Sequence, residues 1–210
     1  MINKNEINLT KRLFIAVEIV PDERFLAIYD KLKSHTTRLD KINWVKPNLM
    51  HLTLKFLGET PIEKIPSIAE SMSVACKELS PFTVSIGRIG LFGSRYQPRV
   101  LWFGMDNAEM LQKAHYSIEK QMRKLGFPRH IGNFVPHLTL ARINKIDDKK
   151  RFLQQIEQAQ TENIQQLTVK EIVLYESILN ERIPVYEKIM AYALPIAIFN
   201  PESASGKINL

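Results

Sequence analysis

The tetrapeptide His-Leu-Thr-Leu occurs twice in this chain, as residues 51–54 in NLMHLTLKFLG and as residues 137–140 in FVPHLTLARI. Each copy follows an aromatic-valine pair and a proline, and a cation, Lys55 or Arg142, comes soon after it. The chain has only five histidines, so a repeat led by histidine in similar surroundings is unexpected. Two explanations are open: one shared site built by an internal duplication, or two unrelated buried strands.

Both copies have the character of β-strands, in which successive side chains point to opposite faces. The leucines of each copy would enter a core. His51 with Thr53, and His137 with Thr139, would face the other way, which suits the floor of a polar cleft. We therefore predict that two similar units meet about a pseudo-two-fold axis and that each offers one His-x-Thr to a shared groove.

Short β-branched or aromatic segments are interspersed with four amphipathic helical segments along the chain. Several strands follow one another directly, which predicts an α+β fold with largely antiparallel sheets. We expect one domain over residues 1–199 and a flexible tail over 200–210. The predicted strands are 11–20, 42–45, 50–58 (ended by Gly58), 82–92, 99–105, 136–143, 167–177 and 184–194, the last two forming a hairpin; the predicted helices are 21–36, 61–79, 107–126 and 147–160.

The charge and the cysteine content of the chain indicate which kind of partner and which cellular compartment to expect. A net charge of +7 and a pI of about 9.4 favour anionic partners such as nucleic acid. The single cysteine, Cys76, excludes an intramolecular disulfide and fits a reducing compartment, so a cytoplasmic location is expected. No segment approaches the roughly 18 apolar residues of a membrane helix. The glycines of GRIGLFG (87–93) lie inside a strand, so no nucleotide-cofactor loop is expected.

Two imidazoles and two hydroxyls suit a particular chemistry. One histidine can be neutral while the other is protonated near neutral pH, so the pair can remove one proton and donate another. Threonine hydroxyls suit the non-bridging oxygens of a phosphate, and the basic chain makes a phosphodiester the natural substrate. No metal is required. A zinc site is the competing interpretation, but zinc sites in proteins usually have three or four protein ligands. Cys76 and the remaining histidines lack the spacing for such a site. We interpret these histidines, His35, His115 and His130, as structural or exposed.

The two motifs with their flanks, WVKPNLMHLTLKFLGE and FVPHLTLAR, resemble the two-histidine phosphoesterase superfamily, in its LigT-like RNA 2′,3′-cyclic phosphodiesterase (2′-5′ RNA ligase) branch. RLFIAV, PRVLWFG and LYES resemble that branch too, and the resemblance covers roughly Arg12 to Leu194. It implies a bilobal α+β fold in which two pseudo-symmetric antiparallel sheets line a central cleft. It also implies metal-independent, cofactor-free hydrolysis of an RNA 2′,3′-cyclic phosphate to a 2′-phosphomonoester, with reversible 2′-5′ ligation as a further activity.

The resemblance also implies roles for individual residues. His51 corresponds to the proton donor and His137 to the proton acceptor that activates water, although the pseudo-symmetry leaves the reverse assignment open. Thr53 and Thr139 correspond to phosphate-contacting positions. Arg142 corresponds to a cation near the phosphate, but strict alternation would aim it away from His137, so a bulge or a strand end is needed there.

Three aromatic residues, Trp44, Phe56 and Phe134, could stack on a nucleobase, although burial in the core or at the rim is the alternative for each. Arg95 and Arg99 could guide an RNA backbone, or belong to a solvated turn. We expect a monomer that acts on RNA. Two rival functions stay open: a non-catalytic module that binds an RNA end phosphate, and a two-histidine phosphodiesterase for a small cyclic nucleotide.

Overall fold

The strands form two antiparallel sheets within residues 9–94, 96–179 and 184–196, which the computed structural model describes. A four-stranded sheet has the order β3-β1-β8-β9, and a five-stranded sheet has the order β2-β6-β5-β4-β7. The expected α+β class with two antiparallel sheets is confirmed. The elements in chain order are β1 (Thr10–Glu18), α1 (Glu23–Ser34), β2 (Lys41–Trp44), β3 (His51–Pro61), α2 (Ile65–Lys77), β4 (Phe82–Ser94), β5 (Gln97–Asp106), α3 (Glu109–Lys124), β6 (His137–Lys145), α4 (Lys149–Gln158), β7 (Gln165–Val169), β8 (Glu171–Leu179) and β9 (Pro184–Ala193).

Strand β1 lies between β3 and β8 in its sheet, and side chains on both of its faces are buried. Leu13, Ile15 and Val17 belong to the main core. The residues between them, Phe14 and Ala16, point the other way and form a second small apolar cluster with two residues of β8, Val173 and Tyr175. The continuous apolar run of the sequence therefore serves two layers, the main core and a smaller apolar cluster on the opposite face of β1.

The helices begin and end where their local sequence directs. The Asp22 carboxylate accepts a hydrogen bond from the Phe25 backbone N–H at the start of α1 (2.8 Å), which satisfies a backbone donor that the helix itself leaves free. Asp148 caps α4 in the same way through Arg151 N. Gly126 follows α3 with φ +85°, a left-handed conformation that favours glycine.

Two boundaries predicted from the sequence are wrong. Strand β3 does not stop at Gly58 but continues to Pro61, and Gly58 takes φ +74° beside a register shift. Residues 167–177 are not one strand but parts of two, because Val169 pairs with Phe82 in the five-stranded sheet whereas Glu171 pairs with Ala193 in the four-stranded one. The apolar pattern is continuous across this junction, but strand partners distant in sequence decide to which sheet each half belongs. The predicted tail, 200–210, lies outside the described residues.

A buried ion pair joins β3 to α3. The Lys55 ammonium donates to the Glu119 carboxylate, and the side chains are only 5% and 8% exposed. Lys55 also donates to the Pro128 carbonyl (2.5 Å), and the backbone N–H of His130 donates to Glu119 (3.3 Å). The pair therefore fixes the segment between α3 and β6 against β3.

We predict that Lys55→Met lowers the free energy of unfolding by about 3–5 kcal/mol, because it leaves the Glu119 charge buried without its partner. The double variant Lys55→Met/Glu119→Leu should be less destabilised than Lys55→Met alone, since it buries no unpaired charge. Urea unfolding followed by circular dichroism measures both. Equal destabilisation of the single and double variants would contradict this account.

Candidate active site

Strands β3 and β6 begin at the two motif histidines, and they repeat the same alternation of burial over seven residues. In both, the histidine and threonine are half-buried and the leucines between and after them are buried. On the neighbouring strands, Thr53 lies opposite Ala16 of β1 and Thr139 lies opposite Trp102 of β5. The duplication proposed from the repeated tetrapeptide therefore extends to the local backbone.

A β-bulge occurs at the same place in both motifs. Ile15 pairs with Lys55 and Ala16 with Thr53, so Leu54 is the extra residue in β3. Leu140 is the extra residue in β6 by the same shift. An extra residue reverses the alternation that follows it. Phe56 and Arg142, the exposed residues two positions after each bulge, therefore return to the face of the histidine and threonine.

The carbonyl of each bulged leucine has a different partner. Leu140 O accepts from the Val45 backbone N–H at the end of β2 (2.8 Å). Strand β3 lies at the edge of its sheet, and there the buried imidazole of His115 in α3 donates from Nδ1 to Leu54 O (2.8 Å). His115, interpreted from the sequence as structural or exposed, is buried, and its imidazole supplies the hydrogen bond that the backbone of a neighbouring strand would otherwise give.

The two motif histidines are oriented by the same hydrogen bond. His51 Nδ1 lies 2.9 Å from Leu49 O, and His137 Nδ1 lies 2.8 Å from Val135 O. A carbonyl oxygen can only accept, so Nδ1 carries the hydrogen in both rings. The neutral form of each therefore has its lone pair on Nε2, where it can take a proton.

The two motifs lie close together. Cα atoms of β3 and β6 approach within 8 Å. Burial is the main cause that lowers the pKa of His51, and the positive charges of Arg142 and His137 lower it further. Burial also lowers the pKa of His137, and Arg142 adds to this effect. One guanidinium thus acts on both imidazoles, and it takes no part in the ion pairs found among the described residues.

Aromatic rings of the four-stranded sheet enclose His51. Its ring centroid lies 4.8 Å from that of Phe14 and 4.9 Å from that of Tyr186, which it meets edge to face. Tyr175 stacks on Phe14 beneath it (5.2 Å). Burial raises the pKa of both tyrosines, so their hydroxyls stay protonated near neutral pH. These rings remove water from the imidazole, which is the cause of its lowered pKa.

A second aromatic group, on β4 and β5, encloses His137. Phe92 meets it edge to face at 4.7 Å, and Trp102 lies 6.2 Å away. Gly90 makes this arrangement possible, because a Cβ at that position would overlap the indole ring of Trp102. The middle glycine of GRIGLFG, Gly90, is thus required by its close packing against Trp102, whose ring lies beside His137.

The structure places three residues singled out from the sequence near one another, because the charges of His137 and Arg142 both act on the His51 imidazole. Thr53 and Thr139 lie two residues after their histidines and share the same half-buried face of each strand. Strict alternation predicted that Arg142 points away from the face of His137. The bulge at Leu140 reverses the alternation and so places Arg142 on that face.

The three candidate stacking aromatics lie in different surroundings. Phe56 is 62% exposed on the face of the site. Trp44 packs edge to face against Tyr29 of α1 at 5.3 Å, and Phe134 stacks on His115 at 4.0 Å. Stacking on a nucleobase stays a prediction for all three. Arg99 is exposed on β5, and Arg95 lies outside the described residues.

Sequence reasoning gave no role in the site to the rings around the histidines. Tyr175 lies in the LYES segment, where the resemblance was noticed but no residue was singled out. Phe14 and Ala16 in RLFIAV are two residues apart and therefore lie on one face of β1, opposite to Leu13 and Ile15. A continuous apolar run does not show whether such a face belongs to the main core or to a binding site. The residues missed are Phe14, Phe92, Trp102, Tyr175 and Tyr186.

Other candidate chemistry is limited within the described part of the chain. No cluster of three or more His, Cys, Asp or Glu is arranged there to hold a metal ion. Cys76 is buried in α2, and burial raises the pKa of its thiol to about 11, which opposes a nucleophilic role. No helix in the described ranges has the length and apolar character needed to span a bilayer.

Comparison with known proteins gives consistent matches. The sequence profile of the 2′-5′ RNA ligase superfamily matches residues 44–181. An "RNA 2′,3′-cyclic phosphodiesterase" of Archaeoglobus fulgidus is 30% identical over 184 residues, which are 86% of this chain and 99% of that protein. A protein of the same name from Thermotoga maritima is 30% identical over 179 residues, covering 84% of this chain and 91% of its own length.

Solved structures show the same fold. TT0787 of Thermus thermophilus aligns with a TM-score of 0.71 and 23% identity, over 89% of this chain and all of the other. E. coli LigT complexed with 3′-AMP aligns with a TM-score of 0.64 and 21% identity, over 89% and 99% of the two chains.

We predict that Gly90→Ala lowers the free energy of unfolding by about 1–3 kcal/mol, because the added methyl must displace Trp102. Adding Trp102→Leu should restore part of this loss, since the smaller side chain leaves room for the methyl. Thermal unfolding of the two single variants and the double variant gives the coupling between them, expected to be at least about 0.5 kcal/mol. Strictly additive effects would show that the two positions do not clash.

Proposed function

The chain belongs to the 2′-5′ RNA ligase superfamily, and on that premise we propose that it hydrolyses a terminal RNA 2′,3′-cyclic phosphate to a 2′-phosphomonoester. The observation that carries the proposal is the pair of His-x-Thr motifs on two strands that approach each other, each with Nδ1 bonded to a backbone carbonyl. The relatives that bear the name of this activity match over most of their length.

The two imidazoles divide the proton transfers between them. Neutral His137 takes a proton from water through Nε2 as the water oxygen bonds to phosphorus. The bond from phosphorus to the 3′ oxygen breaks, and protonated His51 gives its proton to that oxygen, which leaves a 3′-hydroxyl and a 2′-phosphomonoester. Each proton transfer of this kind contributes about 10²–10⁴ in rate. The roles of the two rings can be exchanged without changing this balance.

The remaining groups of the site hold the charge of the phosphate. Thr53 and Thr139 share the face of the histidines and can donate to the non-bridging oxygens. Arg142 carries a positive charge that no carboxylate in the described residues neutralises through an ion pair. Hydrogen-bond donors held in fixed positions stabilise the charge of the transition state better than water molecules, which must reorient to do so.

Further parts of the proposal concern substrate and context. Attack by a 5′-hydroxyl in place of water, with the same break of the bond from phosphorus to the 3′ oxygen, would leave a 3′-hydroxyl and a 2′-5′ phosphodiester, so 2′-5′ ligation belongs to the same site. We include a monomeric state, a cytoplasmic location and a single domain over residues 1–199 in the proposal, as expected from the sequence.

We predict that His51→Ala and His137→Ala each reduce turnover of an RNA with a 2′,3′-cyclic phosphate end by at least about a hundredfold, because each removes one proton transfer. Chromatography of the products distinguishes 2′-phosphate from 3′-phosphate, and the assay is run in excess chelator. His35→Ala, which replaces a partly exposed histidine at the end of α1, is the matched control and should retain full activity. Binding of the RNA end without any product from the unmodified protein would favour the non-catalytic alternative.

We predict a bell-shaped pH dependence of kcat/KM with its maximum below the ordinary imidazole pKa of about 6.5. The active form has one proton on the pair. Since burial lowers both pKa values, that form is most populated at acidic pH and is lost as pH rises. Arg142→Gln removes a positive charge that disfavours the imidazolium, so the maximum should move to higher pH; Arg142→Lys should leave it in place. A maximum unmoved by Arg142→Gln would contradict the assignment of this cation to both rings.

A further inference from the structure

A groove of about 900 Å³ lies between α3 and the segment that leads into β6. Four exposed cations line it: Lys120, Arg123 and Lys124 of α3, and Arg129 of the facing segment. None of the four belongs to an ion pair within the described ranges. The acidic residue in the lining, Glu119, is neutralised by the buried ammonium of Lys55. The groove therefore presents an uncompensated positive field.

The helix side of the groove combines these charges with an aromatic ring. Tyr116, Lys120 and Arg123 are spaced by four and three residues, which places them on one face of α3. Tyr116 is 66% exposed. The lining stripe from Gln112 to Arg123 is about 16 Å long at 1.5 Å per residue. Cations that follow a backbone and an aromatic ring available for stacking are what a single-stranded nucleic acid requires.

Both walls of the groove are connected to the strands that carry the motif histidines. Phe134 lines the groove and lies three residues before His137, a distance of at most about 11 Å along the chain. The next residue, Val135, gives the carbonyl that orients the His137 ring. His115, also in the lining, donates to Leu54 O in the other motif. The groove is therefore tied through Phe134 and His115 to the backbone of both motifs.

We propose that this groove, defined by Tyr116, Lys120, Arg123 and Arg129, binds the RNA nucleotides that precede the cyclic end. The cations contact backbone phosphates and the Tyr116 ring stacks on one base, without base-specific hydrogen bonds. The inference rests on the proposed function, because it takes the cyclic end to lie between the two histidines. It adds that the enzyme should prefer an oligonucleotide to a mononucleotide.

The test compares two substrates: a mononucleotide 2′,3′-cyclic phosphate, and a single-stranded RNA of about eight nucleotides with the same end. Lys120→Gln/Arg123→Gln/Arg129→Gln should raise KM for the oligonucleotide at least about tenfold at low salt, and should lower the salt dependence of log KM by about 0.7 per lost contact. Tyr116→Ala should weaken oligonucleotide binding about tenfold. Turnover of the mononucleotide should change less than about twofold, since it does not enter the groove.

The matched control, Lys149→Gln/Lys150→Gln/Arg151→Gln, removes an equal number of positive charges from exposed positions on α4. It should leave KM for the oligonucleotide within about twofold of the value for the unmodified protein. If it weakens oligonucleotide binding as much as the groove variant does, only net charge matters and the groove proposal is overturned. Unchanged oligonucleotide KM in the groove variant also overturns it and leaves an acidic protein as the occupant to test. Failure of the proposed function is separate: the unmodified protein would then turn over neither substrate.

Discussion

An unbroken β-strand could not place Arg142 on the face of His137, because the two positions are five residues apart and strand side chains alternate. The bulge at Leu140 removes this conflict by adding one residue to the strand, and the bulge at Leu54 does the same for Phe56. Bulges locally disrupt the ladder and free a carbonyl. Here both freed carbonyls are satisfied, one by the Val45 backbone N–H just after β2 and one by the His115 imidazole, so the distortion is stable in each half of the molecule.

The desolvation of His51 follows from how β1 is packed. Its position between two strands leaves Phe14 against Tyr175 on the face of the sheet opposite the main core, and His51 lies on that aromatic surface. A ring held against apolar groups loses hydration and disfavours its charged form. The carbonyl bond to Nδ1 opposes this effect, so the imidazole remains able to accept and release a proton while its orientation is fixed.

The fold class, the elements and the central residues could be predicted because their signals are local. Alternation correctly placed Leu52 and Leu138 in the core, and the repeated His-x-Thr marked the two strands that the structure brings close together. The bulges could not be assigned, since Leu54 and Leu140 are buried like any strand leucine and only pairing with distant strands shows that they lack partners. The division of residues 167–177 between two sheets and the ring of Trp102 over Gly90 depend on the same kind of nonlocal contact.

The two motifs are nearly equivalent in backbone and orientation, so the difference between acid and base must come from their surroundings. The equivalent positions after the bulges carry Phe56 in one half and Arg142 in the other, so the Arg142 charge acts on both rings from one side. Because the charge of His137 also acts on His51, the protons titrate as a property of the pair. In the proposed mechanism, a bound phosphate anion favours retention of one proton, and the ring nearer the leaving oxygen acts as the acid. The way the substrate lies between two similar imidazoles would then decide which ring is the acid and which is the base.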